Sequence, residues 1–235
     1  MNAMKLIIGE VLPFVTLAVL VLGLGYRIRR WHKAAVANMA LYPAAANRKD
    51  LWKKVLGEVF LFRSFRKEHA GLWWQTWPFH VAIALIVLGH TRLITDWPLR
   101  VLFGMSAESV DTFSAWAGGV AGIVAMATCL FLLIRRFSVR RVSEISSGED
   151  YIVVLLLLAI IVTGNIMRFV THFDMALAQT YFATLFSLQP TQVPHDPAFL
   201  LHSLLAQILL IYLPFGKLLH IPGVFYSKPL IVKDF

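Results

Sequence analysis

The chain has 235 residues, 58% of them hydrophobic and 15% charged, with a net charge of +9 and a mean hydropathy of +0.70. A soluble domain is nearer half apolar and a quarter charged, so this composition excludes one; the apolar excess falls into five long runs, as in a polytopic membrane protein. One cysteine, Cys129, excludes an intrachain disulfide, a Cys-ligated iron–sulfur cluster and a c-type haem attachment site. The basic residues gather in particular loops, where they act as topology signals and not as a nucleic-acid surface.

The first run covers residues 7–26. Arg27, Arg29, Arg30 and Lys33 follow it, the reverse of a signal peptide's polarity, so it reads as a retained membrane helix. The loop from 27 to 77 holds eleven Lys and Arg residues. Within it "YPAAANRKD" reads as a turn and linker. "LWKKVLGEVFLFRSFRK" places Leu51, Trp52, Val55, Leu56, Val59 and Phe60 at near-helical spacing among basic residues. It predicts an amphipathic helix at the interface, serving lipid anchoring or a docked subunit. The second run is 78–96, and the loop 97–112 has only Arg100. The third run, 113–134, contains "WAGGVAG" and leads into Arg135, Arg136, Arg140 and Arg141. The fourth run is 151–170. The loop 171–198 has no Lys or Arg, and the end of the fifth run, 199–219, and the tail after it carry Lys217, Lys228 and Lys233. The charge asymmetry predicts an outside N-terminus and a cytoplasmic C-terminus. The expected fold is an all-α five-helix transmembrane bundle, one domain over 1–235.

Of eight histidines, His32, His69, His172 and His195 fall in loops and read as surface residues. His80 and His90 lie on the second run, His202 and His220 on or at the end of the fifth. Polar side chains in a membrane span are costly and usually functional. At about 1.5 Å per residue, His90 lies about 15 Å beyond His80, and His220 about 27 Å from His202. The runs point in opposite directions, so His80 pairs in depth with His220 near the inner face, and His90 with His202 near the outer face. Eighteen residues are five helical turns, which would put His202 and His220 on one face. The unequal spacings require tilt or a bend near Pro214.

Two facing histidines can ligate a haem iron from both sides, and two such pairs would carry electrons across the membrane. A proton relay would normally add mid-span Asp or Glu, and Asp96 and Asp150 lie only at span ends. One zinc ion cannot be shared by ligands so far apart on a helix. Arg92 and Arg168 are candidates for the propionates of an outer haem, and Arg63, Arg66, Arg135 and Arg136 for an inner one; snorkelling also explains each. Gly118, Gly119 and Gly122 permit close approach of a macrocycle or of a neighbouring helix. Arg92, Asp96, Glu108 and Asp111 form a candidate proton exit or a solvated loop.

With "FHVAIALIVLGH", "AGGVAG", "GEDYIVVLLLL" and "LPFGKLLH", nearly the whole chain resembles the cytochrome b gamma subunits of respiratory nitrate reductase and their relatives. The resemblance implies a subunit with two b haems that exchanges electrons between quinone and a cytoplasmic iron–sulfur partner in the inner (cytoplasmic) membrane. Further membrane or periplasmic subunits would complete the complex. It implies iron ligation by His80 with His220 and His90 with His202, and a quinol pocket at Gly89 and His90. Thr112 stands where the nitrate reductase branch carries a lysine. That departure and the first cytoplasmic loop resemble the membrane cytochromes of the sulfite-reductase-associated Dsr complex and of heterodisulfide reductase, implying sulfur metabolism. The alternatives are a nitrate reductase gamma subunit, a single-haem variant, or a non-redox anchor or transporter with structural histidines.

Overall fold

The structure, a computed structural model, describes residues 2–34, 47–190 and 192–232. Most of the predicted turn at "YPAAANRKD" and the tail residue Lys233 lie outside the described residues. Among those described, all regular structure is helical. The longer helices are α1 (Leu12–Lys33), α2 (Arg48–Leu61), α3 (Ala70–His90), α4 (Ala107–Ser138), α5 (Gly148–Phe169), α6 (Met175–Phe186), α7 (Pro197–Tyr212) and α8 (His220–Val232). Four stretches are long and apolar enough to cross a membrane: Ala3–Lys33, Ala70–Leu93, Ala107–Ser138 and Gly148–Phe169. A fifth candidate is a pair, Pro197–Tyr212 and Lys217–Ser227, bent by 73°. Large apolar side chains such as Leu22 and Trp116 are 73% and 74% exposed, a surface suited to hydrocarbon rather than water.

The chain divides into two compact units, residues 1–15 with 78–209 and residues 16–77 with 210–235. In the first, a π-helical stretch, Leu6–Val11, precedes α1. Wider helical turns disturb the usual carbonyl partners, and side chains bind two of these carbonyls. The Tyr181 hydroxyl donates to Gly9 O at 2.7 Å, and Gln207 Nε2 donates to Ile8 O at 3.0 Å. A Cβ at Gly9 would stand 2.5 Å from Val193 Cγ1, so only glycine fits there. Around this contact Ile8, Tyr181, Leu185, Val193, Phe199 and Leu200 form one core.

The other core of this unit lies where α4 and α5 run antiparallel. Ser106 caps α4 by accepting from the Ser109 N–H at 3.2 Å. Asp150 opens α5 by accepting from the Ser147 N–H at 2.9 Å. Ala121, Ala125, Cys129 and Ile161 are buried with Ala82. Small α4 residues admit polar α5 side chains: Asn165 Nδ2 donates to Gly122 O at 3.1 Å. Arg168 donates to Ala115 O at 3.1 Å.

In the second unit, Asn47 caps α2 by accepting from the Asp50 N–H at 2.9 Å. The predicted amphipathic helix does not continue through residue 67. It breaks at Phe62, whose φ of 49° is left-handed, and resumes as Arg63–Glu68. Glu58 stabilises the break, accepting from the Ser64 hydroxyl at 2.8 Å and its N–H at 3.2 Å. The freed terminal carbonyls also find partners. Trp73 Nε1 donates to Leu61 O at 3.0 Å and Trp77 Nε1 to Phe60 O at 2.8 Å.

The fifth run breaks as well. Pro214 cannot donate to a helical ladder and its ring obstructs the preceding turn. α1 accepts it closely: a Cβ at Gly23 would lie 2.6 Å from Pro214 Cβ, and Arg27 Nε donates to Pro214 O at 2.9 Å. The Tyr212 ring closes over Gly216. The continuous span expected over 199–219 is therefore corrected to two helices. The five-turn phase that put His202 and His220 on one face does not apply across the bend.

Candidate functional site

α3 ends at His90, and the chain tightens into a 3₁₀ turn, Thr91–Leu93. His202 lies in the first half of α7. Both belong to the first unit, and their imidazole rings stand 6.2 Å apart, centre to centre, within 11° of parallel. His90 Nδ1 lies 2.7 Å from Ile86 O, one turn back on its own helix. His202 Nδ1 lies 3.1 Å from Ile160 O on α5 and 3.0 Å from Thr163 Oγ1. A carbonyl oxygen can only accept, so each Nδ1 carries a proton, and in the neutral ring Nε2 is then the nitrogen with the free lone pair. Metal-ligating histidines commonly have this second hydrogen bond.

The separation of the two rings matches that of histidines ligating one iron from both sides. A metal–imidazole bond of about 2 Å, with the ring centre about 1.2 Å behind the nitrogen, puts two opposed rings about 6.4 Å apart. The space around His90 is open: the residue is exposed, and a Cβ at Gly89 would meet nothing within 4 Å. His220 Nδ1 likewise lies 3.0 Å from a carbonyl, Lys217 O. It opens α8 in the second unit, whereas His80 lies on α3 in the first, its ring edge-on to Phe79.

A family model described as nitrate reductase gamma subunit matches residues 64–232. The chain belongs to the nitrate reductase gamma subunit family. Its relatives include the "Hdr-like menaquinol oxidoreductase cytochrome b-like subunit" of Archaeoglobus fulgidus, 27% identical over 266 residues, covering 94% of this chain and 78% of the relative. The protein of the same name from Archaeoglobus profundus is 27% identical over 261 residues, covering 92% and 76%. These relatives agree with the heterodisulfide-reductase-like resemblance read from the sequence. Membership and the apolar helices make the chain a multi-pass membrane protein with a redox, electron-transfer role.

In this member of the gamma subunit family, Arg92 is 6% exposed. Its Nε donates to Asp96 at 2.7 Å and its NH2 to Asp111 at 2.6 Å. Gln179 Nε2 donates to Arg92 O at 2.9 Å. Beside this hub a cleft of about 920 Å³ is lined by Leu93, Asp96, Trp97, Arg100, Gln179 and Phe186 among others. Arg168 lies against Gly118, where a Cβ would come 2.6 Å from its NH2, and Phe169 lies 3.4 Å from the corresponding point at Gly119. These two glycines thus admit α5 side chains. Arg135 is half-buried near the end of α4, and its neighbour Arg136 donates to Ser146 Oγ at 2.9 Å. Sequence reading missed Ile160, Thr163 and Gly164 behind His202. Their signal was the "TGN" interruption of an apolar run.

Proposed function

We propose that the chain is the dihaem b subunit of a quinol-linked membrane oxidoreductase in the cytoplasmic membrane, exchanging electrons between menaquinol and a cytoplasmic iron–sulfur subunit in sulfur metabolism. In this reading His90 and His202 hold the outer haem and His80 and His220 the inner one, within one cytochrome b domain. The N-terminus is outside, the C-terminus is cytoplasmic, and α2 rests at the cytoplasmic interface. The observation that carries it is the near-parallel His90–His202 pair at 6.2 Å, with both Nδ1 atoms engaged. The relatives' name supports menaquinol and the Hdr-like assignment.

A bound b haem supplies reversible one-electron chemistry at iron. The chain supplies the rest. Ile86 O and Ile160 O keep the ring protons on Nδ1 and so aim the Nε2 lone pairs. Apolar helices exclude water and favour a macrocycle over a hydrated ion. Gly89 leaves room for a quinol headgroup beside His90, and the cleft at Leu93 and Trp97 opens the approach. Arg92 holds the Asp96 and Asp111 side chains in place, on a route by which a quinol proton would leave outward. Copurification from native membranes tests the reading. Two b haems per chain, reducible by a menaquinol analogue and accompanied by an iron–sulfur protein, are expected. A colourless chain would make it a non-redox anchor.

A further inference from the structure

We infer that Thr163 of α5 is a positioning residue that orients the His202 imidazole and sets the reduction potential of the outer iron site. The inference rests on the haem reading above and adds a residue that the ligand pattern does not contain.

The two rings of the outer pair are held differently. His90 is held within its own helix, by Ile86 O at 2.7 Å. His202 is held from another helix. Its Nδ1 faces Ile160 O at 3.1 Å and Thr163 Oγ1 at 3.0 Å. Thr163 is buried, 6% exposed, and its hydroxyl stands 2.9 Å from both Ala159 O and Ile160 O. Those carbonyls only accept, so the hydroxyl proton goes to them and the oxygen lone pair faces Nδ1–H. Thr163 therefore accepts from His202, and the ring proton is shared between a carbonyl and a hydroxyl.

Gly164 makes the contact possible. A Cβ there would lie 3.3 Å from His202 Cε1 and 3.7 Å from Nδ1, so the Nδ1–Cε1 edge of the ring packs against α5 at that one residue. The Thr–Gly step is thus a gauge for the plane of His202, and the plane it imposes is within 11° of His90. An acceptor on Nδ1–H makes Nε2 a stronger donor, which favours the more highly charged ferric state and lowers the potential. Removing one of the two acceptors should raise it.

The test is redox titration of the purified complex in T163V, which keeps the shape and removes the hydroxyl, and in T163S, which keeps the hydroxyl. T163V should retain two haems, raise the potential of the outer haem alone and alter its ferric electron paramagnetic resonance signal. T163S should match the wild type. T163A carries the T163V expectation should the valine variant not assemble. Two haems with an unchanged outer potential in T163V or T163A would overturn the inference and leave the haem reading standing. A wild type without haem, or a haem count unchanged in H202A, overturns the outer-haem reading and this inference with it.

Discussion

Arg92 shows how a residue's role depends on partners that the primary structure only half reveals. Its bond to Asp96 closes over the short loop that follows the 3₁₀ turn, between residues four apart in the chain. Its bond to Asp111 joins residues far apart in the chain, and no local pattern announces it. The Arg92 side chain is 7% exposed but that of Asp111 is 72%, so water screens one arm of the pair. R92L should lower stability by about 1–3 kcal/mol, chiefly by stranding Asp96; thermal denaturation in detergent reads it. Tyr181 offers a pH test. Burial, reinforced by the negative charge of Glu10, pushes its phenol up to about 12. The folded state therefore binds the proton more tightly than the unfolded chain, whose tyrosines titrate near 10. This contribution is complete below about pH 10 and is lost as pH rises toward about 12. Y181F should lose about 1 kcal/mol at neutral pH, with the hydrogen bond to Gly9 O, and show a shallower fall of stability over that alkaline window. An identical alkaline slope in both proteins would count against it.

At the scale of elements, α4 and α5 depend on absent side chains. A methyl at Gly122 would run into Asn165 Oδ1, so G122A should cost roughly 1–3 kcal/mol through overpacking, again read by thermal denaturation. Full retention of stability would show that Asn165 moves aside freely. The helices were legible because about 20 apolar residues match the hydrocarbon thickness. Their interruptions were less so. The bend at Pro214 was visible as a proline, but the arithmetic of 3.6 residues per turn passed through it. The break at Phe62 had no signal, since a bulky residue at positive φ is stabilised only by tertiary partners such as Glu58 and the two indoles. The histidines stood out because a polar ring in lipid needs a reason. Thr163 did not, because threonine bonded to the preceding turn is ordinary in a membrane helix.

For the whole molecule, the proposed orientation rests on where the Lys and Arg residues lie along the chain. The single cysteine makes it measurable: Cys129 is 1% exposed and should react little with a polar maleimide. In intact cells, or in spheroplasts where an outer membrane is present, a membrane-impermeant maleimide should label S187C and spare S138C, with both labelled after lysis. The reverse pattern would invert the topology. The central claim remains that the two imidazoles 6.2 Å apart grip one iron. Its most direct measurement is the haem content of purified H202A beside the wild type. The account predicts a fall from two b haems per chain to one, with the other haem's spectrum intact; an unchanged count would contradict it.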